Sequence, residues 1–465
     1  TEAAARDGYE VVALDLFGDV DTRAASVTWS ALGEPGTLHI DAERLRSALA
    51  GLARNADVLG WCPGAGFEGA ADLLERGAAV LPLIGNDAAT MRSVRDPRIF
   101  FEALDRLGIA HPEVRFEPPE DGEALHWLVK DFQGTGGWHI RRWVAGSASR
   151  LGGSPALYFQ REALGRSMSL TFIANGSDVC ELGCNELTIR RFGAKPHVYC
   201  GAVRPVMLPI PVAQQVGLIL RAVVAEWGLR GLGSLDFLLE GDTVSVLEVN
   251  PRPPASMALY ELRRFECATS GTLRTHGLMD AHIRACLNGD LPAICPEDAD
   301  APAVRGIEIV YALRPVEVSA AVTARLSRWP GAHDLPAPGI RCTAGDPLCS
   351  VAAVGASPNP IERQPQDAVA DPGDIDMTDT LPPLADTHLS VNALTQSRVQ
   401  RLLNEAESLN IKAIEDPTGV CIVDAGIEAR SSIAAGLLMG EICMGGLGDV
   451  TLRTGVDDGW PTWVQ

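Results

Sequence analysis

The segment from Gly233 to Ser256 is the most informative part of this sequence for its architecture and reads GSLDFLLEGDTVSVLEVNPRPPAS. Its apolar residues indicate two neighbouring strands. These strands bring Asp236, Glu248 and Asn250 to one point, and the last two share a face because they are two residues apart. Mg²⁺ prefers one or two carboxylates plus nucleotide phosphates, so the trio predicts a metal–nucleotide site. The structural alternative is an ordinary hairpin with polar edges.

The exit from the second strand strengthens the functional interpretation. Pro251 and Pro253 stiffen the chain on either side of Arg252, whose guanidinium can hold a phosphate or a carboxylate with two parallel hydrogen bonds. Spacing, residue types and the NPRP tail together resemble the C-terminal signature of the ATP-grasp ligases. The resemblance implies that Asp236, Glu248 and Asn250 bind Mg²⁺ or Mn²⁺ and that Arg252 is catalytic.

A lysine precedes a glycine-rich loop in the middle of the chain. The sequence has only three lysines among 39 basic residues, and Lys130 ends a predicted strand at 126–130. The loop Gly134-Thr135-Gly136-Gly137 follows, where glycines let backbone N–H groups approach phosphate oxygens closely. A compact ammonium suits a site that needs a point charge, so Lys130 is predicted to contact phosphate.

The ATP-grasp resemblance implies further roles for this region. Lys130 and the loop residues Gly134, Thr135, Gly136 and Gly137 would cover the phosphates of ATP, and Lys130 would be catalytic. Gln160 and Glu162 lie in a stretch that resembles the hinge holding adenine and ribose, although a salt-bridged strand end is the alternative for Glu162. Many relatives carry an earlier lysine, and the position that looks closest here is Arg98.

Composition bounds the class of protein. The chain has 465 residues, a net charge of −21 and eleven cysteines without a C-x-x-C pair. The negative charge opposes binding to nucleic acid or to an anionic membrane, both of which reward clustered Lys and Arg. Cysteines without metal-ligand spacing indicate reduced thiols, and no apolar run reaches the length of a membrane span. We therefore expect a soluble, cytoplasmic protein with no nucleic-acid partner.

The order of predicted elements indicates an α/β chain of several units. Predicted strands (Val11–Leu16, Val58–Trp61, Val80–Ile84) alternate with predicted helices (Asp41–Arg54, Glu68–Glu75) at the start. The expected units are a Rossmann-like pre-ATP-grasp domain at 1–95 whose first strand is missing, an ATP-grasp domain at 96–290, a small β extension at 291–354, a flexible linker at 355–387 and a truncated second α/β domain at 388–465.

The segment after the linker has its own resemblance. The stretches LSVN (389–392), VDAGIEA (423–429) and AAGLLMGEICMGGLGDVTL (434–452) closely resemble the N-terminus of methenyltetrahydromethanopterin cyclohydrolase. Locally, a strand at 420–425 and a helix at 432–443 are expected. The match covers only the opening part of such an enzyme, so we expect no hydrolase activity from this part as it stands. A complete cyclohydrolase part would support a homo-oligomer.

Together the two resemblances imply an ATP-dependent ligase that joins a small carboxylate to an amine in tetrahydromethanopterin- or methylofuran-linked one-carbon metabolism. One alternative is a nucleotide-binding scaffold that serves the attached cyclohydrolase. The other is that the relevant activity is the cyclohydrolase itself in a longer product.

Overall fold

The computed structural model describes residues 1–34, 39–120, 126–144, 156–269, 272–295, 304–312, 314–329 and 331–355, together with four short strands beyond residue 413. The predicted linker, apart from its first residue, and the predicted helix at 432–443 lie outside the described residues. Among the described helices, none is both long and apolar enough to cross a bilayer.

The N-terminal region is an α/β unit with a small parallel pair of strands. Its elements are α1 (Glu2–Arg6), β1 (Val12–Asp15), α2 (Val20–Ala24), β2 (Thr28–Ala31), α3 (Ala42–Leu52), α4 (Ala71–Ala78) and α5 (Ala88–Arg95). Strands β1 and β2 pair in parallel, as the predicted alternation requires. The predicted strand at 11–16 and the helices at 41–54 and 68–75 are present with shifted ends.

Two further strands predicted in this region do not form. In place of strands at 58–61 and 80–84 there is one parallel bridge between Trp61 and Leu83, held by Trp61 N to Pro82 O at 2.9 Å and Ile84 N to Trp61 O at 2.8 Å. The physical reason is that Pro82 and Pro63 flank the bridge and have no N–H to extend a ladder.

The next region carries a small four-stranded sheet. Asp96 caps α6 (Pro97–Leu107) by accepting bonds from Arg98 N and Ile99 N, and Gly108 ends the helix in the left-handed conformation. Strands β3 (Val114–Arg115), β4 (Trp127–Asp131), β5 (Arg141–Arg142) and β6 (Leu157–Arg161) follow. They lie in the order β3-β6-β4-β5.

A large antiparallel sheet forms the centre of the molecule. Its strands in chain order are β7 (Arg166–Asn175), β8 (Val179–Phe192), β9 (Lys195–Arg204), β10 (Arg230–Glu240), β11 (Thr243–Asn250), β15 (Val304–Tyr311), β17 (Ala332–His333) and β19 (Pro347–Gly355). The spatial order is β11-β10-β7-β8-β9-β15-β19-β17. Three strands of the predicted β extension therefore continue this sheet rather than forming a separate layer.

Helices cover the sheet and short elements fill the rest. These are α7 (Ile210–Trp227), a 3₁₀ helix at Ala255–Tyr260, β12 (Phe265–Thr269), β13 (Thr272–His276), α8 (Leu278–Leu287), β14 (Ala293–Ile294), β16 (Val316–Glu317), α9 (Ala320–Leu326) and β18 (Arg341–Cys342). The buried side chains of α7 pack with Phe172, Phe237 and Val249 of the sheet, each contributing about 1.5–3 kcal/mol by burial. Residues of α8 and the 3₁₀ helix form a separate cluster with Ile173 and Leu232.

Beyond residue 413 the described strands are β20 (Ile414–Glu415), β21 (Cys421–Val423), β22 (Val450–Arg453) and β23 (Thr462–Trp463), paired in that order. Strand β21 falls inside the predicted strand at 420–425.

Candidate active site

The three residues predicted as metal ligands lie together at the β10–β11 pair. Asp236 stands directly opposite Glu248, and Ser234 stands opposite Asn250. One carboxylate oxygen of Asp236 accepts from Ser169 Oγ at 2.7 Å and the other from Asn250 Nδ2 at 3.0 Å. Asn250 thus turns its amide nitrogen toward Asp236, so the Oδ1 atom of Asn250 remains available to bind a metal ion.

A local irregularity sets the direction of these side chains. The register of β10 with β11 shifts between Asp236 and Phe237. Such bulges re-aim a side chain and increase the local twist, and they recur beside active sites. The Glu248 side chain keeps 45% of its solvent exposure, so its carboxylate is accessible.

The electrostatics of the two carboxylates differ. Burial, followed by the charge of Glu248, raises the pKa of Asp236 to about 7, against the bonds from Ser169 and Ser234. Burial also raises the pKa of Glu248, but nearby positive groups, Arg95 first and Lys130 next, outweigh it and leave the pKa below its ordinary value. Two carboxylates that face each other repel when both are ionised. A divalent cation bound between them would reduce this repulsion and favour ionisation of Asp236.

Lys130 lies on β4, and its side chain is buried. Burial, followed by the charge of Arg95, lowers its pKa to about 8, and Glu248 opposes that shift. The ammonium is therefore mostly charged at pH 7 and close enough to Glu248 to interact with it. The structure thus brings the predicted phosphate-binding lysine to the predicted metal ligands.

Arg95 is a site residue that the sequence reasoning missed. Its Nη1 lies 3.1 Å from Glu248 Oε2, and its Nη2 donates to Phe132 O at 2.8 Å and Gly134 O at 2.9 Å. One buried guanidinium therefore links Glu248 on β11 to the start of the glycine-rich loop. Arg98, the residue selected from the sequence, stacks over the Phe116 ring at 3.9 Å instead. The available signal was position, because Arg95 ends α5 immediately before the cap of the next helix.

The glycine-rich loop packs tightly against β9. Gly136 and Gly137 have φ of +63° and +82°, and Gly136 O accepts from Tyr199 N at 3.0 Å. A Cβ on Gly137 would lie 1.7 Å from His197 O, so only glycine fits there. The glycines thus have a packing role in addition to their predicted role as phosphate ligands. Thr135 O lies 3.4 Å from His139 Nδ1 and accepts a hydrogen bond when that nitrogen carries the proton.

The predicted hinge residues lie at the end of β6. Gln160 is 1% exposed, and its Nε2 has no hydrogen-bond partner among the described residues. The Glu162 carboxylate takes two bonds from Arg142, at 2.5 and 2.7 Å, and lies 3.0 Å from His197 Nε2. The salt-bridged strand end, the alternative for Glu162, is therefore present, and contact with adenine or ribose stays a prediction.

Arg252 is held by a residue from the N-terminal region. Its Nε donates to the buried carboxylate of Glu68, which also accepts from Gly66 N at 2.6 Å.

Tyr199 is a second residue to which the sequence analysis assigned no role. Its hydroxyl is buried without a partner among the described residues, and burial and then Asp236 raise its pKa. A buried hydroxyl without a partner among the described residues, near Asp236, is a candidate contact for a bound molecule.

Comparison with known protein families and structures separates the chain into two parts. Residues 94–256 match the family described as ATP-grasp domain, and residues 390–465 match the family described as Cyclohydrolase (MCH). The structure resembles biotin carboxylase from Campylobacter jejuni, with a TM-score of 0.54, 12% identity and coverage of 77% of this chain and 85% of that one. It also resembles carboxyaminoimidazole ribonucleotide synthase from Aspergillus clavatus, with a TM-score of 0.55, 17% identity and coverage of 77% and 90%. At these identities the likeness shows the fold.

The curated relatives match only the C-terminal part. Methenyltetrahydromethanopterin cyclohydrolase from Methylobacillus flagellatus is 43% identical over 74 residues, which are 16% of this chain and 22% of that protein. The enzyme of the same name from Methanosphaerula palustris is 42% identical over 73 residues, 16% of this chain and 23% of that protein. The chain thus spans less than a quarter of the length of these relatives. The chain contains an ATP-grasp domain at residues 94–256 and a segment of the methenyltetrahydromethanopterin cyclohydrolase family at residues 390–465.

Proposed function

We propose that the chain is an ATP- and Mg²⁺-dependent ligase that joins a small-molecule carboxylate to an amine through an acyl-phosphate. The observation that carries this proposal is the meeting of Asp236, Glu248 and Asn250 with the ammonium of Lys130. A cluster of hard oxygen donors beside a buried cation suits a metal-bound triphosphate.

The donor set fits the metal. Two carboxylates and an amide oxygen are ligands for Mg²⁺ and equally for Mn²⁺, and a bound dication would offset the charge that raises the pKa of Asp236. When bound, the metal supplies neutralisation of the phosphate charge that develops during phosphoryl transfer. Asp236, Glu248 and Asn250 would hold it.

The remaining residues position and neutralise the reactants. In the first step, a carboxylate oxygen of the acid attacks the γ-phosphorus of ATP, and the bond to the bridging oxygen of ADP breaks. In the second step, the amine nitrogen attacks the acyl carbon, the bond between that carbon and the phosphate oxygen breaks, phosphate leaves with the electron pair, and the amine nitrogen releases a proton. Lys130 and the N–H groups of the glycine-rich loop neutralise the phosphate, Arg252 steadies the acyl-phosphate, and Gln160 and Glu162 hold the nucleoside. These groups contribute positioning and charge rather than a covalent nucleophile.

The pathway assignment depends on the second part of the chain. A segment of the methenyltetrahydromethanopterin cyclohydrolase family on the same polypeptide supports a role in tetrahydromethanopterin- or methylofuran-linked one-carbon metabolism. The support comes from the joining of the two segments in one chain, not from the chemistry of the site.

A second candidate function is favoured by the same segment. In a longer product the activity would be hydrolysis of methenyl-tetrahydromethanopterin, and the ATP-grasp part would be a nucleotide-binding scaffold. This candidate requires ATP binding without ATP consumption.

ADP release separates the two. We would incubate the chain with Mg-ATP and a panel of acids, including glutamate and pterin carboxylates, each paired with candidate amines. The ligase requires ADP release that depends on one acid–amine pair, and replacing the amine by hydroxylamine should yield the acyl hydroxamate. Tight ATP binding with no ADP release and no hydroxamate across the panel would favour the scaffold instead.

A further inference from the structure

Two arginines on adjacent strands of the large sheet stand opposite each other, and no carboxylate among the described residues forms an ion pair with either. Arg204 on β9 stands directly opposite Arg305 on β15. Directly opposite side chains of an antiparallel pair share a face, with Cβ atoms about 4.5–5.5 Å apart, and like charges in this position are destabilising. The guanidinium of Arg263 adds a third positive charge, since Arg204 and Arg263 lie 4.7 and 5.3 Å from the Tyr260 ring centroid. We call these three residues the arginine cluster.

The acidic residues next to the cluster are engaged elsewhere. Glu181, beside the residue that Arg263 contacts, lies 3.1 Å from Arg221. Glu261, which follows Tyr260, pairs with Arg6. Glu308, on the same strand as Arg305, lies 2.7 Å from Arg190. In the part of the chain that the structure describes, no carboxylate forms an ion pair with any member of the cluster.

The guanidinium groups of Arg204 and Arg263 are each held by a backbone carbonyl, and each has further N–H groups that can donate to a ligand. Arg204 is 7% exposed and donates from Nε to Leu259 O at 2.6 Å, and Arg263 donates from Nη1 to Leu182 O at 2.6 Å. The Nε of Arg263 is buried and has no acceptor among the described residues. Burial, then Arg263 and Arg305, lower the pKa of Arg204 to about 10. The fold therefore holds a concentration of positive charge that its described side chains do not neutralise.

Two members of the cluster, Arg204 and Arg305, lie on the same row of the sheet as Asp236. Asp236 stands opposite Ser169, and Ser169 opposite Asn185. Glu186 stands opposite Val203, so the register continues to place Asn185 opposite Arg204. Three spacings of about 4.8 Å separate the backbones of Asp236 and Arg204 by about 14 Å, a distance within reach of a small molecule.

We propose that Arg204, Arg263 and Arg305 form a binding site for a carboxylate or phosphate group of a small molecule. Guanidinium forks match both groups in geometry and charge, and an anion would relieve the like-charge contact between Arg204 and Arg305. The group belongs either to the acid substrate, as a second anion remote from the reacting carboxylate, or to a separate anionic effector. The substrate assignment rests on the proposed ligase function, but the binding site itself does not.

The first experiment measures binding without turnover. Calorimetric titrations of inorganic phosphate and of glutarate, at about 50 mM salt to limit screening, would be run with Mg-ADP in excess so that the nucleotide site is filled. The variant is Arg305→Gln, because Arg305 is partly exposed and has no ion-pair partner among the described residues. Arg305→Lys keeps the charge, and Arg341→Gln is the matched control at a side chain that is 81% exposed.

We expect Arg305→Gln to weaken binding of at least one anion by tenfold or more, Arg305→Lys, which keeps the charge but not the planar fork, to weaken it less than Arg305→Gln does, and Arg341→Gln to match the parent. Equal binding by all four proteins, or no detectable binding by the parent, would overturn the proposal.

Thermal unfolding gives an independent readout with a distinctive sign. Removing one of two facing positive charges should raise the melting temperature of the anion-free protein, whereas a purely structural Arg305 would lower it. Added phosphate should then stabilise the parent more than Arg305→Gln. A lower melting temperature in Arg305→Gln, with the same phosphate increment as the parent, would contradict an anion site.

Turnover distinguishes the two sources of the anion. If the anion belongs to the substrate, KM for a diacid should be at least tenfold lower than for its monoamide in the parent, and this preference should vanish in Arg305→Gln. If it belongs to an effector, the two acids should react alike and phosphate should change the rate only in the parent. Absence of ADP release in every case would count against the ligase, while the titrations would still decide the anion site.

Discussion

Replacement of Glu248 by glutamine tests the metal site with a nearly isosteric change. The Arg95–Glu248 ion pair has an N–O distance of 3.1 Å, but the Glu248 side chain is 45% exposed, so solvent screens it. Arg95 is itself buried, but in the variant it keeps its bonds to Phe132 O and Gly134 O, and a pair with one partly exposed partner contributes about 1 kcal/mol. We therefore expect the Glu248→Gln protein to fold and to melt within a few degrees of the parent.

The expected effect on catalysis is much larger. Glutamine removes the negative charge that would hold the metal, and loss of one preorganised electrostatic contact costs about 10²–10³ in kcat, or about 2.7–4 kcal/mol. The change also removes the carboxylate that raises the pKa of Lys130, so this ammonium loses charge near pH 7. Both effects weaken neutralisation of the triphosphate, so ADP release should fall by at least about 10².

The assay is ADP release with the acid–amine pair that the parent uses fastest, with circular dichroism and thermal unfolding measured on the same samples. Glu240→Gln is the matched control, because Glu240 is exposed at the end of the same hairpin. Turnover by Glu248→Gln within about threefold of the parent, at unchanged Mg²⁺ affinity, would refute the metal assignment.

Two further outcomes are expected. Because the pKa of Asp236 is raised to about 7, Mg²⁺ must displace a proton below that pH, so the apparent Mg²⁺ dissociation constant should rise about tenfold per pH unit below 7 and level off above it. In the metal-free chain, protonated Asp236 contributes to the stability of the folded state at low pH, and this contribution is lost as the pH rises through about 7. Mg²⁺ binds the ionised carboxylate, so it should raise the melting temperature more at pH 8 than at pH 6. Gly137→Ala should displace the glycine-rich loop, since the new Cβ would overlap His197 O, and should weaken ATP binding about tenfold or more, measured by fluorescent-nucleotide displacement, whereas Gly193→Ala, at an open turn, should not.

A carboxyl group with an ordinary pKa near 4 is ionised throughout the range from pH 5.5 to 8. An Mg²⁺ affinity that does not change over this range would therefore show that Asp236 ionises normally and is not buried against Glu248. Parent-like nucleotide affinity in Gly137→Ala would mean that the loop does not contact the phosphates or that its packing on β9 is not needed.

Local sequence signals were sufficient for several elements. Asp96-Pro97 at the start and Gly108 at the end define α6, because capping and left-handed geometry depend on residues within one turn. The hairpin β10–β11 follows from alternation and a short turn, and its register alone brings Asp236 opposite Glu248. The family resemblance then identified Lys130 as their neighbour, which local pattern could not have done.

Other predictions failed where the deciding contact is remote in sequence. The apolar stretches at 58–61 and 80–84 look like strands, yet prolines limit them to a single bridge. Arg98 is the position that looks closest to the earlier lysine of relatives, but one-dimensional spacing does not reveal that Arg95 contacts Glu248, 153 residues further along the chain.

The residues alone were enough to predict the class of fold, the hairpin that carries Asp236, Glu248 and Asn250, the lysine and glycine-rich loop, and the presence of a second family segment. These depend on residue type and on spacing within one or two elements. Three-dimensional packing was needed to show that Arg95 bridges Glu248 and the loop, that Glu68 holds Arg252 across 184 residues of chain, and that Arg204 stands opposite Arg305. The reason is physical: such contacts arise from the packing of elements that are distant in sequence, and no local periodicity or propensity encodes which side chains then meet.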